Sequence, residues 1–164
     1  MPPVPRMFRL PDPALRRPHR TVMLHGLRRL ANLVNLSTPA GLALARLTGC
    51  TVRPGPGGIL LAEGYPLAVP AAAAFTVGNV VLFRAGSARR IEATDSPLLR
   101  HEMRHSSQYA VLGPFFLPLY FAAAACSRLL TGNPASVNPF ERLAGLRDGG
   151  YREASSHPVR IRRG

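Results

Sequence analysis

A helix marked at both ends constrains this sequence most. Ser96 is placed to cap it, Pro97 takes its first position and Gly113-Pro114 stops it, so the pattern predicts a helix over 97–112, about four turns long. Behind it, Phe115 to Leu130 is almost wholly apolar, and Ser106 to Ser127 contains no charged side chain. A run of that length passes the size requirement for a membrane helix. Gly113-Pro114 interrupts it, however, and the unbroken helix after Pro118 amounts to about three turns. A buried core helix is therefore the expectation ahead of a membrane span.

Short elements surround that helix. Leu24, Leu27, Leu30, Ala31 and Val34 recur at helical spacing within Thr21 to Leu36, with Arg28 and Arg29 on another side. Ser37-Thr38-Pro39 opens a second helix over 40–47 that Gly49 can close. RPGPGG at 53–58 breaks regular structure, and two β-rich runs follow, Ile59 to Ala62 and Phe75 to Arg84. In the latter, Gly78-Asn79 between Phe75-Thr76-Val77 and Val80-Val81-Leu82-Phe83 is a two-residue hairpin signal. Residues 85–95 read as a polar connection, and Asn138-Pro139 starts a last short helix through Leu146. The sum is an α+β fold, mainly helical, with a small β-sheet or hairpin before the 97–112 helix. With 164 residues, 46% of them hydrophobic, the chain can bury a core without staples, which excludes a wholly disordered basic tail. We read one domain over 21–151, between a Pro-rich, flexible basic arm over 1–20 and a basic tail over 152–164.

The formal charge of +13 belongs to the ends. Residues 1–53 carry nine Arg against Asp12, whereas residues 54–151 hold eight Arg and six acids. Clusters such as Arg16, Arg17, Arg20 and Arg28, Arg29 suit phosphates of nucleic acid or of an anionic membrane surface, although solvated charge that aids solubility is the preferred reading. The N-terminus lacks the apolar stretch of a signal peptide, so a cytoplasmic location is expected, with membrane association as the variant the basic arm allows. Cys50 and Cys126 are in no metal-type spacing and read as reduced thiols.

The chemistry lies in His101-Glu102-Met103-Arg104-His105. At i and i+4 of a helix, the two imidazoles project from one face and can share one Zn2+ ion. Glu102 lies about 100° around the helix, beside the ion, where its carboxylate can take a proton from a zinc-bound water. The bland alternative is a solvated helix face with spectator histidines. A catalytic zinc also needs a third protein ligand and one open position. Glu141 is preferred, because Ala144 and Gly145 let its short helix approach another closely. It also fits a capping box, reaching back to the Asn138 amide. Asp148 and His157 are the substitutes. Gln108, one turn past His105, is a candidate partner for a liganding ring, and Arg104 should point away from the ion.

This motif, followed by Glu141 in Asn138-Pro139-Phe140-Glu141-Arg142-Leu143-Ala144, resembles the HExxH zincin metallopeptidases of the gluzincin kind. The extension to Gln108, with Ala74 to Asn79 upstream, looks like short bacterial HExxHxxQ domains, over about residues 70–151. The resemblance implies a minimal zincin-like domain, a zinc-dependent hydrolase acting on a peptide or protein substrate, and a sheet edge that would hold an extended peptide. It also implies zinc held by His101, His105 and Glu141, Glu102 as general base, and an oxyanion donor, for which Tyr151 and His157 are weak candidates. Two other functions compete: a non-catalytic zinc-binding protein, and a basic adaptor that binds nucleic acid or an anionic membrane through its Arg-rich N-terminus.

Overall fold

The computed structural model describes residues 17–93 and 95–151. The arm over 1–16, the tail over 152–164 and His157 therefore lie outside the described residues.

The elements run α1 (Arg17–Val34), α2 (Ser37–Leu47), β1 (Thr51–Pro54), β2 (Leu60–Glu63), β3 (Ala74–Val77), β4 (Val80–Phe83), α3 (Ala88–Glu92), α4 (Pro97–Leu112), α5 (Phe116–Thr131) and α6 (Pro139–Ala144). This is the expected mainly helical α+β fold. The four strands form one mixed sheet in the order β1-β2-β4-β3, with β2 and β4 parallel and the outer pairs antiparallel. The β3–β4 hairpin turns at Gly78-Asn79, as its residues require: Gly78 has φ +62°, the left-handed region that glycine adopts without a Cβ penalty.

Strand alternation divides the core in two. Leu61, Ala74, Val81 and Phe83 face Ile91, Leu98 and Leu99 of α3 and α4. Ala62, Val80 and Leu82 face Ala45 of α2 and Tyr65. All four residues of β4 are buried, as befits a strand covered on both faces. The sheet is thus a thin plate between α2 and α4, and its β3 end is the platform on which α4 rests.

Helix α4 is the element that local signals specify best. Ser96 Oγ accepts from Leu99 N at 3.0 Å, Pro97 starts the helix, and Gly113 closes it with φ +57°. Other expectations need correction. Helix α1 begins at Arg17, so Arg17 to Arg20 do not belong to a flexible arm. Arg53 and Pro54 pair with β2 on an edge strand, where proline's missing N–H does no harm. The segment 85–95 contains α3, whose Ile91 is fully buried. Helix α6 stops at Ala144, short of Leu146.

The largest departures concern the apolar helices. On α1 the inward side is His25, Arg28, Asn32 and Asn35, while Leu24, Leu27, Leu30 and Val34 are exposed. A polar network takes precedence there. Asn32 Nδ2 donates to Asn79 Oδ1 (3.1 Å) and to the Ser106 carbonyl (2.9 Å), and Ser106 Oγ donates to Asn79 Oδ1 (2.7 Å). Helix α5 buries only Phe116 and Ser127, and leaves Leu117, Leu119, Phe121, Leu129 and Leu130 exposed, so the expected core helix is not a core helix within the described residues.

Helix α2 lies directly on the hairpin turn. A Cβ added to Gly78 would stand 2.4 Å from both Ser37 C and Thr38 N. Gly78→Ala combines that clash with a left-handed φ, and should lower the unfolding free energy by about 2 kcal/mol or more, read from the urea midpoint.

Candidate metal centre

Three chain segments meet at the buried face of α4. His101 and His105 project from it one turn apart, at 2% and 7% exposure, with their Nε2 atoms 3.0 Å from each other. Glu141, at 2% exposure, arrives from α6: its Oε2 is 3.3 Å from His101 Nε2 and its Oε1 is 3.7 Å from His105 Nε2. The preferred third ligand is therefore brought to the pair. The capping box is not formed, because Asn138 Oδ1 caps α6 through Phe140 N while the Glu141 carboxylate turns inward. Asp148 is excluded from the cluster: it pairs with Arg104 at 2.7 Å. Arg104 also donates to the Ala144 carbonyl, the oxygen that lies 3.1 Å from His101 Nδ1.

Hydrogen bonds decide which ring nitrogens carry protons. His101 Nδ1 lies 3.1 Å from the carbonyl oxygens of both Ala144 and Gly145, which can only accept, so Nδ1 donates. Gln108 Nε2 donates to the Phe140 carbonyl (2.9 Å), which turns Gln108 Oε1 toward His105 Nδ1 at 2.8 Å. That nitrogen donates too. In the neutral rings both Nε2 atoms then present lone pairs to each other at 3.0 Å. This arrangement repels unless a proton or a metal cation stands against both. Zinc bonds of about 2.0–2.1 Å in a tetrahedron put ligand atoms roughly 3.3 Å apart, close to the 3.0 Å between the two Nε2 atoms and the 3.3 Å from His101 Nε2 to Glu141 Oε2. Glu141 Oε2, buried and without a hydrogen-bond partner despite its closeness to His101, fits the same test. The residues present suit a metal ion, with His101, His105 and Glu141 as its holders.

Supports converge on these groups. The Tyr120 hydroxyl of α5 donates to Glu141 Oε1. Gly149 lies flat against His101, where a Cβ would come within 2.6 Å of Cε1, so only glycine fits. Tyr151 stands beside the same ring, 6.2 Å between centroids. Tyr120 and Gly149 escaped the sequence reading: the first is hidden in an apolar run, and the second reads as an ordinary turn.

Glu102 stands beside the three and outside their cluster. It is 3% exposed, and Thr76 Oγ1 of β3 donates to its Oε2 at 2.7 Å. Burial raises its pKa, and the neighbouring His105 ring, the Thr76 hydroxyl and the His101 ring offset this only in part. Burial would likewise raise Glu141, but the adjacent His101 and His105 rings and the Tyr120 hydroxyl outweigh it and hold the carboxyl at about 2. Burial works against a charged His101, yet its hydrogen bond to Glu141 and the charges of Glu102 and Glu141 raise its pKa. Burial, then the Glu141 and Glu102 charges, push the Tyr151 hydroxyl up.

Residues 67–111 match the family model described as the eCIS core domain. Over that stretch the chain is similar to the eCIS core domain. The matched residues include the β3–β4 hairpin, His101, Glu102, His105 and Gln108, and stop before Tyr120, Glu141 and Tyr151. No curated protein and no solved structure gives a match. The zincin resemblance therefore rests on the motif residues and their geometry.

Two outcomes follow for the purified protein. Gln108→Leu removes the acceptor that orients His105, and should weaken binding of a metal ion, with Zn2+ as the probe, 10- to 100-fold in a competition titration. In the metal-free protein, the depressed Glu141 pKa adds stability that is complete above the unfolded value of 4.5 and is lost as pH falls toward 2. Glu141→Gln should remove this acid limb, on the order of 3 kcal/mol, from the pH dependence of urea unfolding.

Proposed function

We propose that this chain is a zinc-dependent metallopeptidase, with the ion held by His101, His105 and Glu141 and with Glu102 as general base. The observation that carries this reading is the convergence of two facing Nε2 lone pairs on a buried carboxylate, with a second buried carboxylate of different proton affinity beside them. Bound there, zinc would supply a Lewis acid that acidifies water and polarises a scissile carbonyl. Thr76 holds Oε2 of Glu102 and leaves Oε1 to take the proton of the attacking water and hand it to the leaving amine nitrogen. Its raised pKa brings proton affinity nearer the working pH, as a base that must also act as an acid requires. Tyr120 is occupied as donor to Glu141, so Tyr151, whose hydroxyl stays protonated, is the better donor to an oxyanion. The outer edge of β3 lies at the border of the sheet next to Thr76, where an extended peptide substrate would add as a strand.

The match to the eCIS core domain, a family related to contractile injection systems, supports a setting in which such a peptidase serves a secretion system. The competing reading keeps the zinc as a structural ion. Glu102→Gln separates the two. We expect stoichiometric zinc in both proteins, and peptide-library cleavage reduced by about 100-fold or more in the variant. Undiminished cleavage by Glu102→Gln would remove the assigned base, and a zinc-loaded parent that cleaves nothing would leave the structural ion.

A further inference from the structure

We infer that the exposed sides of α1 and α5 form one surface that seats in the interface of an anionic phospholipid bilayer. The inference is independent of the metal centre. On α1, Met23, Leu24, Leu27, Leu30 and Val34 follow helical spacing and are each more than half exposed, because the polar stripe from His25 to Asn35 faces the protein. On α5 the inward stripe is Phe116, Tyr120 and Ser127, and the helix exposes Leu119 and Leu130 on one flank and Phe121 on the other. The end of α1 meets α4, where Asn35 Nδ2 donates to the Tyr109 carbonyl at 3.0 Å, next to Gly113 at the junction from which α5 follows. Val34 and Leu36 flank one side of that contact, and Val111 and Phe115 flank the other, all of them exposed. The C-terminal end of α1 therefore lies beside the start of α5. Exposed apolar side chains in this number on neighbouring helices mark an interaction site.

Charge selects the occupant. Neither helix contains an acidic residue, while α1 carries the exposed Arg29 and α5 the exposed Arg128. Apolar side chains bordered by arginine suit the boundary between acyl chains and anionic headgroups. A second copy of the chain would bring the same cationic rim against itself. By length and composition the helical run Pro97–Thr131 could cross a membrane, but it bends at Gly113 (φ +57°) and is attached to the domain, which favours a seat in the interface. Sixteen residues of α5 reach about 24 Å against a hydrocarbon core of about 30 Å. The helix is also tied to the domain through Tyr120 and through Ser127, whose hydroxyl donates to the Asn133 carbonyl.

The absence of tryptophan in the chain provides a clean probe. Leu27→Trp and Phe121→Trp, each in the full chain, are titrated with vesicles of phosphatidylcholine and phosphatidylglycerol and with vesicles of phosphatidylcholine alone. Expected are a blue-shifted emission for both probes, quenching by brominated acyl chains, and binding at least about 10-fold tighter to the anionic vesicles. Adding Leu24→Asp and Leu30→Asp to the Phe121→Trp chain, with circular dichroism confirming the fold, should weaken binding by about 10-fold or more. The inference is overturned if neither probe shifts. It is also overturned if the aspartate variant binds as tightly as its parent, which would assign binding to the basic ends. A stable dimer in sedimentation equilibrium that the aspartate substitutions dissolve would overturn it as well.

Discussion

Two imidazoles, each with its Nδ1 proton committed to a fixed acceptor, face one another through unprotonated Nε2 atoms at 3.0 Å, and most of this structure serves that confrontation. Such a pair repels unless a cation joins it, and a buried carboxylate is costly unless the same cation or a donor neutralises it. Helix α6 is held where its Ala144 carbonyl and the following Gly145 carbonyl accept from His101, and this same placement delivers Glu141. Helix α5 contributes a hydroxyl to Glu141, and the chain after α6 presses Gly149 onto the His101 ring.

Placing Glu102 one residue after His101 sets two carboxylates in one site with opposite perturbations. The imidazoles and the tyrosine hydroxyl stabilise the charged form of Glu141, whereas burial dominates at Glu102 and favours its proton. Pairs of acids whose environments push their proton affinities apart are the arrangement in which one serves as a constant anion and the other exchanges protons. The scarcity of acids in this chain sharpens the contrast, since no other carboxylate belongs to the cluster among the described residues.

Legibility differed by the range of the interactions involved. Helix α4 could be read because its cap, proline and terminal glycine act within a few residues, and the Gly78-Asn79 turn because two residues determine it. Glu141 could be shortlisted as an acid on a short helix near small residues. Its choice over Asp148 depended on Arg104, which takes Asp148 for itself. The side on which α1 packs was not legible. Apolar periodicity points to the leucines, but Asn32, Asn79 and Ser106 come from three distant segments, and burying them unpaired would cost more than exposing leucine. Likewise α5 reads as core by composition and is anchored by only a few inward residues.

By itself the sequence determined the α4 helix, the i, i+4 histidines with Glu102 between them, the hairpin and the α+β class. All of these follow from dihedral preferences and spacings that act locally. Tertiary structure alone decided which carboxylate joins the two histidines, the tautomers of both rings, the proton affinities of the two glutamates and the outward turn of the apolar helices. Each of these depends on hydrogen-bond partners and burial contributed by segments tens of residues away, and no local pattern records them.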